Sequence, residues 1–252
     1  MEIILAENHG FCYGVKRAVE MANEAANSDG KSYTLGPIIH NPQVVGRLED
    51  KGVSPVQEVS DIAEGTMIIR SHGVGPAIYE EAEEKGLHVV DATCPHVKKA
   101  QQDAKSVIDE GMTLVILGEK NHPEVKSINL WAYYEGIIIE DVESAQKLQV
   151  VEKMGVVVQT TFSQFKFNSI IDILEKKSKN LKVFKTICNA TQERQNSAVD
   201  LARNVDLMIV IGGKTAATQT DWQRFVVTLD VQRITLKLLL NYNWNGLTEY
   251  RR

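Results

Sequence analysis

Cysteine is scarce in this chain. Among 252 residues only Cys12, Cys94 and Cys188 carry a thiol, and no Cys-x-x-Cys motif is present. An odd number cannot all pair, so a disulfide scaffold is excluded and the thiols read as free, catalytic or metal-bound. A dense Lys/Arg cluster is also missing and the net charge is -5. A nucleic-acid binder needs a basic face to displace phosphate counterions, so nucleic acid is not an expected partner. A small anion in a locally positive pocket remains compatible with this charge. No apolar run approaches ~18 residues, and the opening run Ile3-Ile4-Leu5-Ala6 is too short and too acidic in its flanks for a signal peptide. The expectation is a cytoplasmic chain with no membrane partner. A complete P-loop is absent too: Gly213-Lys214-Thr215 imitates its end, but Met208 stands where the motif needs its first glycine.

What is present is an ordinary globular composition, 43% hydrophobic and 24% charged, at a length that suits two or three α/β units. The same features recur three times. A strand, then a cysteine, then an amphipathic helix is expected from Glu2–Ala6 into Cys12, from Leu87–Asp91 into Cys94, and from Leu181–Ile187 into Cys188. The helices show the 3.6-residue period, as in Val15, Ala18, Val19, Ala22 and in Val97, Ala100, Ala104, Val107. Next in each unit comes a strand ending in glycine: Leu35-Gly36, Leu117-Gly118 and Ile211-Gly212-Gly213. A further strand ends in small polar residues at Ser71-His72-Gly73 and at Gln159-Thr160-Thr161, and the third unit shows no such element. Alternating strands and helices predict parallel sheets, with ligands beyond the carboxyl ends of the strands. The expected architecture is therefore α/β, with three similar units at 1–94, 95–186 and 187–252 in pseudo-threefold arrangement around a central site. The third unit is incomplete, being aberrant after about Lys214.

A thiol at a helix N-terminus meets donor N–H groups and the positive end of the helix dipole, which favours the thiolate a metal needs. Lys16, Arg17, Lys98 and Lys99 add positive charge nearby. Three such thiolates suit zinc, with a water or histidine as fourth ligand, or three irons of a four-iron, four-sulfur cluster; spacing does not choose between them. His40, His72 and His122 fall at equivalent strand ends, whereas His88 and His96 lie elsewhere in the repeat. With Ser71, Thr160 and Thr161 these histidines suit a phosphate or diphosphate. Glu124 is a candidate proton donor if a dry pocket raises its pKa. Two other classes compete. A thiol enzyme, with Cys94 as nucleophile and His96 or His122 as base, leaves two matched cysteines unexplained. A zinc-stabilised α/β binding module leaves the histidines and Glu124 unexplained.

Taken together, Gly10-Phe11-Cys12, Ile39-His40-Asn41, Ser71-His72-Gly73-Val74, Asp91-Ala92-Thr93-Cys94-Pro95, His122-Pro123-Glu124-Val125, Gln159-Thr160-Thr161 and Ile187-Cys188-Asn189-Ala190-Thr191 resemble the hydroxymethylbutenyl diphosphate reductase (LytB) family. The likeness runs in order from residue 1 to about 214. It implies the last step of the non-mevalonate isoprenoid pathway, the reductive removal of an allylic hydroxyl to give isopentenyl and dimethylallyl diphosphates. It further implies a [4Fe-4S] cluster on Cys12, Cys94 and Cys188, and proton delivery by Glu124 with Thr160 relaying or orienting. The implied diphosphate pocket is lined by His40, His72, His122 and Thr161, with His122 also near Glu124. Ferredoxin or flavodoxin is the implied electron donor.

The chain departs from that family after Lys214, where Asn-Ser-Ser-Asn is expected and Thr215-Ala216-Ala217-Thr218 stands. Codons for Thr215 to Trp222, read one base earlier, permit the family-like continuation. A frameshift near Lys214 is thus expected, with a poorly packed tail and little reductase activity in the chain as it stands.

Overall fold

A computed structural model describes residues 2–28, 30–209 and 232–234, the last three by their backbone alone. Cys12 caps α1 (Tyr13–Ala26), whose Ala18, Ala22 and Ala25 form a buried stripe at helical spacing. There follow β1 (Ser32–Leu35), α2 (Pro42–Glu49), β2 (Val53–Val56), β3 (Thr66–Ile69), α3 (Pro76–Glu84) and β4 (His88–Asp91). All pairings are parallel, in the order β2-β1-β3-β4. Met67, Ile68 and Ile69 are fully buried, as expected of a central parallel strand covered on both faces. One apolar cluster, around Ala18, Ala22, Leu48 and Ile68, fills one face, and another, around Ile62, Met67, Ile69 and Ala82, fills the other.

The second sheet repeats this plan. After α4 (Pro95–Asp109) come β5 (Thr113–Leu117), α5 (Pro123–Trp131), β6 (Ile137–Ile139), α6 (Val142–Lys147), β7 (Val151–Val158), α7 (Gln164–Leu174) and β8 (Ser178–Phe184). The order β6-β5-β7-β8 is again wholly parallel. Pro42, Pro76, Pro95 and Pro123 each open a helix, where a missing N–H costs nothing. Then α8 (Asn189–Ala202) leads to β9 (Leu207–Ile209), which pairs in parallel with β10 (Gln232–Ile234).

Three expectations change. Glu2–Ala6 is not a strand: among the described residues no strand bonds to it, and Ile3 and Leu5 are 67% and 71% exposed. A strand exists only by pairing, and it is the stretch just after this segment that side chains of α8 hold. Asn8 N donates to Ser197 Oγ at 3.0 Å, and Arg194 donates to Gly10 O. The strand expected over Leu181–Ile187 ends at Phe184. There Thr186 Oγ1 accepts from Val158 N at 2.9 Å, so a side chain replaces the ladder bond. A second strand does exist in the third unit, β10, which the sequence pattern did not suggest. Ile211 to Lys214, the junction near Lys214–Thr215 and the rest of the tail lie outside the described residues.

Candidate active site

In a doubly wound sheet, ligands collect beyond the carboxyl ends of strands where the strand order reverses. That point lies between β1 and β3 in the first sheet and between β5 and β7 in the second. His40, His72, His122, Glu124, Thr160 and Thr161 all follow one of these four strands, whereas Cys94 follows β4, Cys188 follows β8 and Cys12 follows no strand among the described residues.

His40 follows β1 and precedes the helix cap Asn41, whose side chain accepts from Gln43 N and Val44 N. His72 sits in the turn after β3. His122 is itself the cap of α5, its Nδ1 accepting from Glu124 N at 3.2 Å, so the proton of the neutral ring belongs on Nε2. The second unit docks onto the first through the same residues. Ser127 Oγ donates to His72 O at 2.9 Å and Trp131 Nε1 donates to Val74 O at 2.8 Å. The three imidazoles therefore meet, with ring centroids 4.3 Å apart for His40 and His72, 5.5 Å for His40 and His122, and 5.4 Å for His72 and His122. They do not occupy three equivalent positions. His40 and His72 come from one sheet, and His40 precedes its helix cap whereas His122 is one.

All three rings are held neutral. Burial pushes His122 down to about 4, with the charges of His40 and Arg70 adding to it. Burial holds His72 well below the ordinary histidine range, again with help from His40, His122 and Arg70. His40 is lowered by burial and by Arg70. His40 Nε2 and His72 Nδ1 are buried without a hydrogen-bond partner. The ligating nitrogens lie within 4.8 Å of one another, a spacing that could take a metal ion. The adjacent Arg70 guanidinium repels a cation and attracts an anion, so the cluster suits an anion better.

Glu124, in the first turn of α5, is 2% exposed. Thr160 N donates to its Oε1 at 2.6 Å and Thr160 Oγ1 donates to its Oε2 at 2.8 Å. Burial raises its pKa to about 7, and the two bonds from Thr160 pull against that rise. Such a group holds or releases a proton near neutrality. Thr161 follows at once, its Oγ1 accepting from Gln159 Nε2 at 2.9 Å, which leaves its own O–H free to donate.

Each cysteine is the N-cap of a helix: Cys12 of α1, Cys94 of α4 and Cys188 of α8. All are free and partly buried. Cys94 N donates to Ser71 O at 3.0 Å and Cys188 N to Thr160 O at 2.9 Å, so both hang from the strand ends that supply His72 and Glu124's partner. The charges of Cys12 and Cys188 both act on Cys94, which places each within electrostatic reach of it. Gly14 leaves room for the Cys94 sulfur, since a Cβ there would stand 2.6 Å from Cys94 Sγ. The helix N-terminus does not lower the Cys94 thiol as expected. Burial pushes it up and the other two thiols add to that, outweighing the N–H groups of His96 and Val97. Three of the four neighbouring cations are engaged elsewhere: Arg17 donates to Thr93 O at 3.2 Å, Lys98 pairs with Asp91, and Lys99 with Asp103. His96 lines a separate cleft of about 320 Å³ together with Lys99, Asp103 and Asn189.

A family model described as LytB protein matches residues 3–227. The chain belongs to the LytB family. Among LytB relatives, the 4-hydroxy-3-methylbut-2-enyl diphosphate reductase of Geotalea uraniireducens is 48% identical over 217 residues, 86% of this chain and 77% of that protein. The reductase of the same name from Caldanaerobacter subterraneus is 42% identical over 261 aligned positions, 98% of this chain and 91% of its own length. A solved structure of (E)-4-hydroxy-3-methyl-but-2-enyl diphosphate reductase, the terminal enzyme of the non-mevalonate pathway, superposes with TM-score 0.73. It is 42% identical, over 93% of this chain and 85% of that one. The E-1-hydroxy-2-methyl-but-2-enyl-4-diphosphate reductase of Plasmodium falciparum superposes with TM-score 0.88 at 28% identity, over 96% and 78%. Among the described residues no helix is long and apolar enough to cross a membrane.

Two members of this LytB site went unassigned from sequence. Gln159 bridges the β5 and β7 ends, its Oε1 accepting from Glu119 N at 2.9 Å. Arg70 stands two residues before His72 in the same strand-end motif, and that placement was the available signal.

Proposed function

We propose that this chain is a 4-hydroxy-3-methylbut-2-enyl diphosphate reductase whose iron–sulfur centre is held by Cys12, Cys94 and Cys188. The observation that carries the reading is the double use of Thr160. Its carbonyl accepts from Cys188 N, while its N–H and hydroxyl both go to Glu124, so one residue ties a sulfur ligand to a buried acid. The donor set fits a cluster: three free thiols, each capping a helix, with Cys12 and Cys188 both acting electrostatically on Cys94, and a glycine beside Cys94 whose Cβ would intrude. A [4Fe-4S] cluster bound there supplies electrons and a Lewis-acidic iron.

The protein's own groups do the rest. His40, His72 and His122 line the pocket for the diphosphate and fix its distance from the sulfurs, with Thr161 as a further hydroxyl donor. Glu124, whose pKa burial raises to about 7, gives its proton to the leaving oxygen, and Thr160 orients the carboxyl. In the balanced reaction the allylic C–O bond breaks, two electrons and two protons enter, and the oxygen leaves as water. The products are isopentenyl and dimethylallyl diphosphates. A ferredoxin or flavodoxin is the electron donor in this reading, and the cytoplasm its compartment. The three units are taken as 1–94, 95–186 and 187–252.

The test is anaerobic reconstitution with iron and sulfide, followed by reductant and substrate. Either product, detected by mass spectrometry, supports the reading. No product from this chain, nor from a version with Asn-Ser-Ser-Asn in place of Thr215 to Thr218, contradicts it.

A further inference from the structure

Arg70 leaves the carboxyl end of β3 at the point where the first sheet reverses its strand order, facing Gly36 at the end of β1. Gly36 has φ 71°, and a Cβ there would stand 2.6 Å from Arg70 Nη1, so the absence of a side chain makes room for the guanidinium. Among the described residues the guanidinium has no carboxylate partner. Its Nε is buried without a hydrogen bond, and burial is the one influence on its ionisation. A partly buried cation without a carboxylate partner costs stability, and this one lies within electrostatic reach of three imidazoles that carry no charge of their own at neutral pH.

We propose that Arg70 is a substrate-binding residue, whose guanidinium at the β1–β3 crevice beside His40, His72 and His122 pairs with the diphosphate. This rests on the diphosphate reading of the cluster given above. The imidazoles supply directed hydrogen bonds, while Arg70 supplies the formal charge and a planar fork that matches two phosphate oxygens at once. The titratable groups it acts on are the same three histidines, which burial keeps neutral, with the charge of Arg70 adding to that effect. When the diphosphate binds, its charge offsets that of Arg70, and the rings become better donors to it.

The experiment is calorimetric titration of inorganic diphosphate into the full, cluster-reconstituted chain at pH 7 and low salt, with Arg70→Met and Arg70→Lys alongside. Arg70→Met is expected to weaken binding on the order of 10- to 100-fold, and Arg70→Lys by less, since it keeps charge without the fork. Without diphosphate, Arg70→Met is expected to resist urea at least as well as the parent, and its three histidines, followed by NMR, are expected to titrate at higher pH. A purely structural arginine would instead lose stability to urea on substitution and leave diphosphate affinity unchanged. Affinity within about twofold of the parent, or a substituted chain that is destabilised or fails to fold, overturns the proposal, as does a parent that binds no diphosphate. Iron and sulfide analysis of the same samples judges the reductase reading separately: a chain that holds its cluster but ignores the Arg70 substitutions fails this proposal alone.

Discussion

The carboxylate of Glu124 is gripped at both oxygens by one residue, Thr160, through its backbone N–H at 2.6 Å and its hydroxyl at 2.8 Å. The two bonds stabilise the ionised form, while complete burial opposes it and prevails, leaving the pKa at about 7. An acid buried this way is poised to change charge in the range where the cell operates. Thr160→Val removes the hydroxyl bond and keeps the backbone one, so the Glu124 midpoint should move further up. Infrared titration of the buried carboxyl band, with Glu124→Gln to assign it, reads the shift. An unchanged midpoint would mean that the hydroxyl bond contributes nothing to the carboxylate.

Glu124→Gln should lower turnover by about 10²- to 10⁴-fold while diphosphate affinity stays within about twofold, because the amide keeps the shape but has no acidic proton. Activity in the parent should fall as pH rises through about 7, as the donor loses its proton. A variant of near-parental rate would move the proton source elsewhere.

Stability should respond to pH from two sides. Glu124 has a folded pKa above its model value of 4.5, so its contribution is complete below about pH 4.5 and is lost as pH rises through about 7. The size of that contribution is on the order of 3 kcal/mol. The histidines behave oppositely. Each is lowered from 6.5, so their contribution is present above that value and drains away as the medium is acidified below it. Urea midpoints measured across pH 4 to 8 should show Glu124→Gln flattening the decline toward alkaline pH. His122→Gln should soften the acid one.

Gly14→Ala offers a sharp contrast between helix propensity and packing. In an ordinary helix interior the change stabilises by about 0.5–1 kcal/mol. Here the added methyl would lie 2.6 Å from Cys94 Sγ. The substituted protein should keep its helical circular dichroism and lose most of its iron and sulfide; full cluster content would show that the sulfurs are not as close to α1 as described.

The departure after Lys214 should be felt as low turnover. Thr215, Ala216 and Ala217 offer fewer donors than Asn-Ser-Ser, so replacing Thr215 to Thr218 by Asn-Ser-Ser-Asn should raise product yield and tighten diphosphate binding. Equal rates in the two proteins would separate these positions from the pocket.

The parts of this molecule that were legible in its sequence are those governed by local rules. Helical spacing exposed α1 and α4, and glycine and proline marked the strand ends, so Cys12, Cys94 and Cys188 could be placed at helix starts before any coordinates. Pairing is a long-range property. Ile3 to Ala6 has the composition of a strand and finds no partner among the described residues, whereas Gln232 to Ile234 has a weak pattern and pairs with β9. Electrostatic balance was equally out of reach. The helix N–H groups do act on Cys94 in the expected sense, but burial, which includes the close approach of Gly14, outweighs them, and the charges of the other two thiols add to it. Arg70 stood beside His72 in the motif, yet nothing in a sequence shows that a cation lacks a partner.

The central claim is that three helix-capping thiols hold an iron–sulfur centre beside a diphosphate pocket. It is tested most directly by iron, acid-labile sulfide and zinc analysis of the 252-residue chain purified without oxygen. The expected result is a brown protein with close to four irons and four sulfides per chain, falling sharply when any one of Cys12, Cys94 or Cys188 is changed to serine. Stoichiometric zinc, or a metal-free protein with a single hyper-reactive thiol at Cys94, would contradict it.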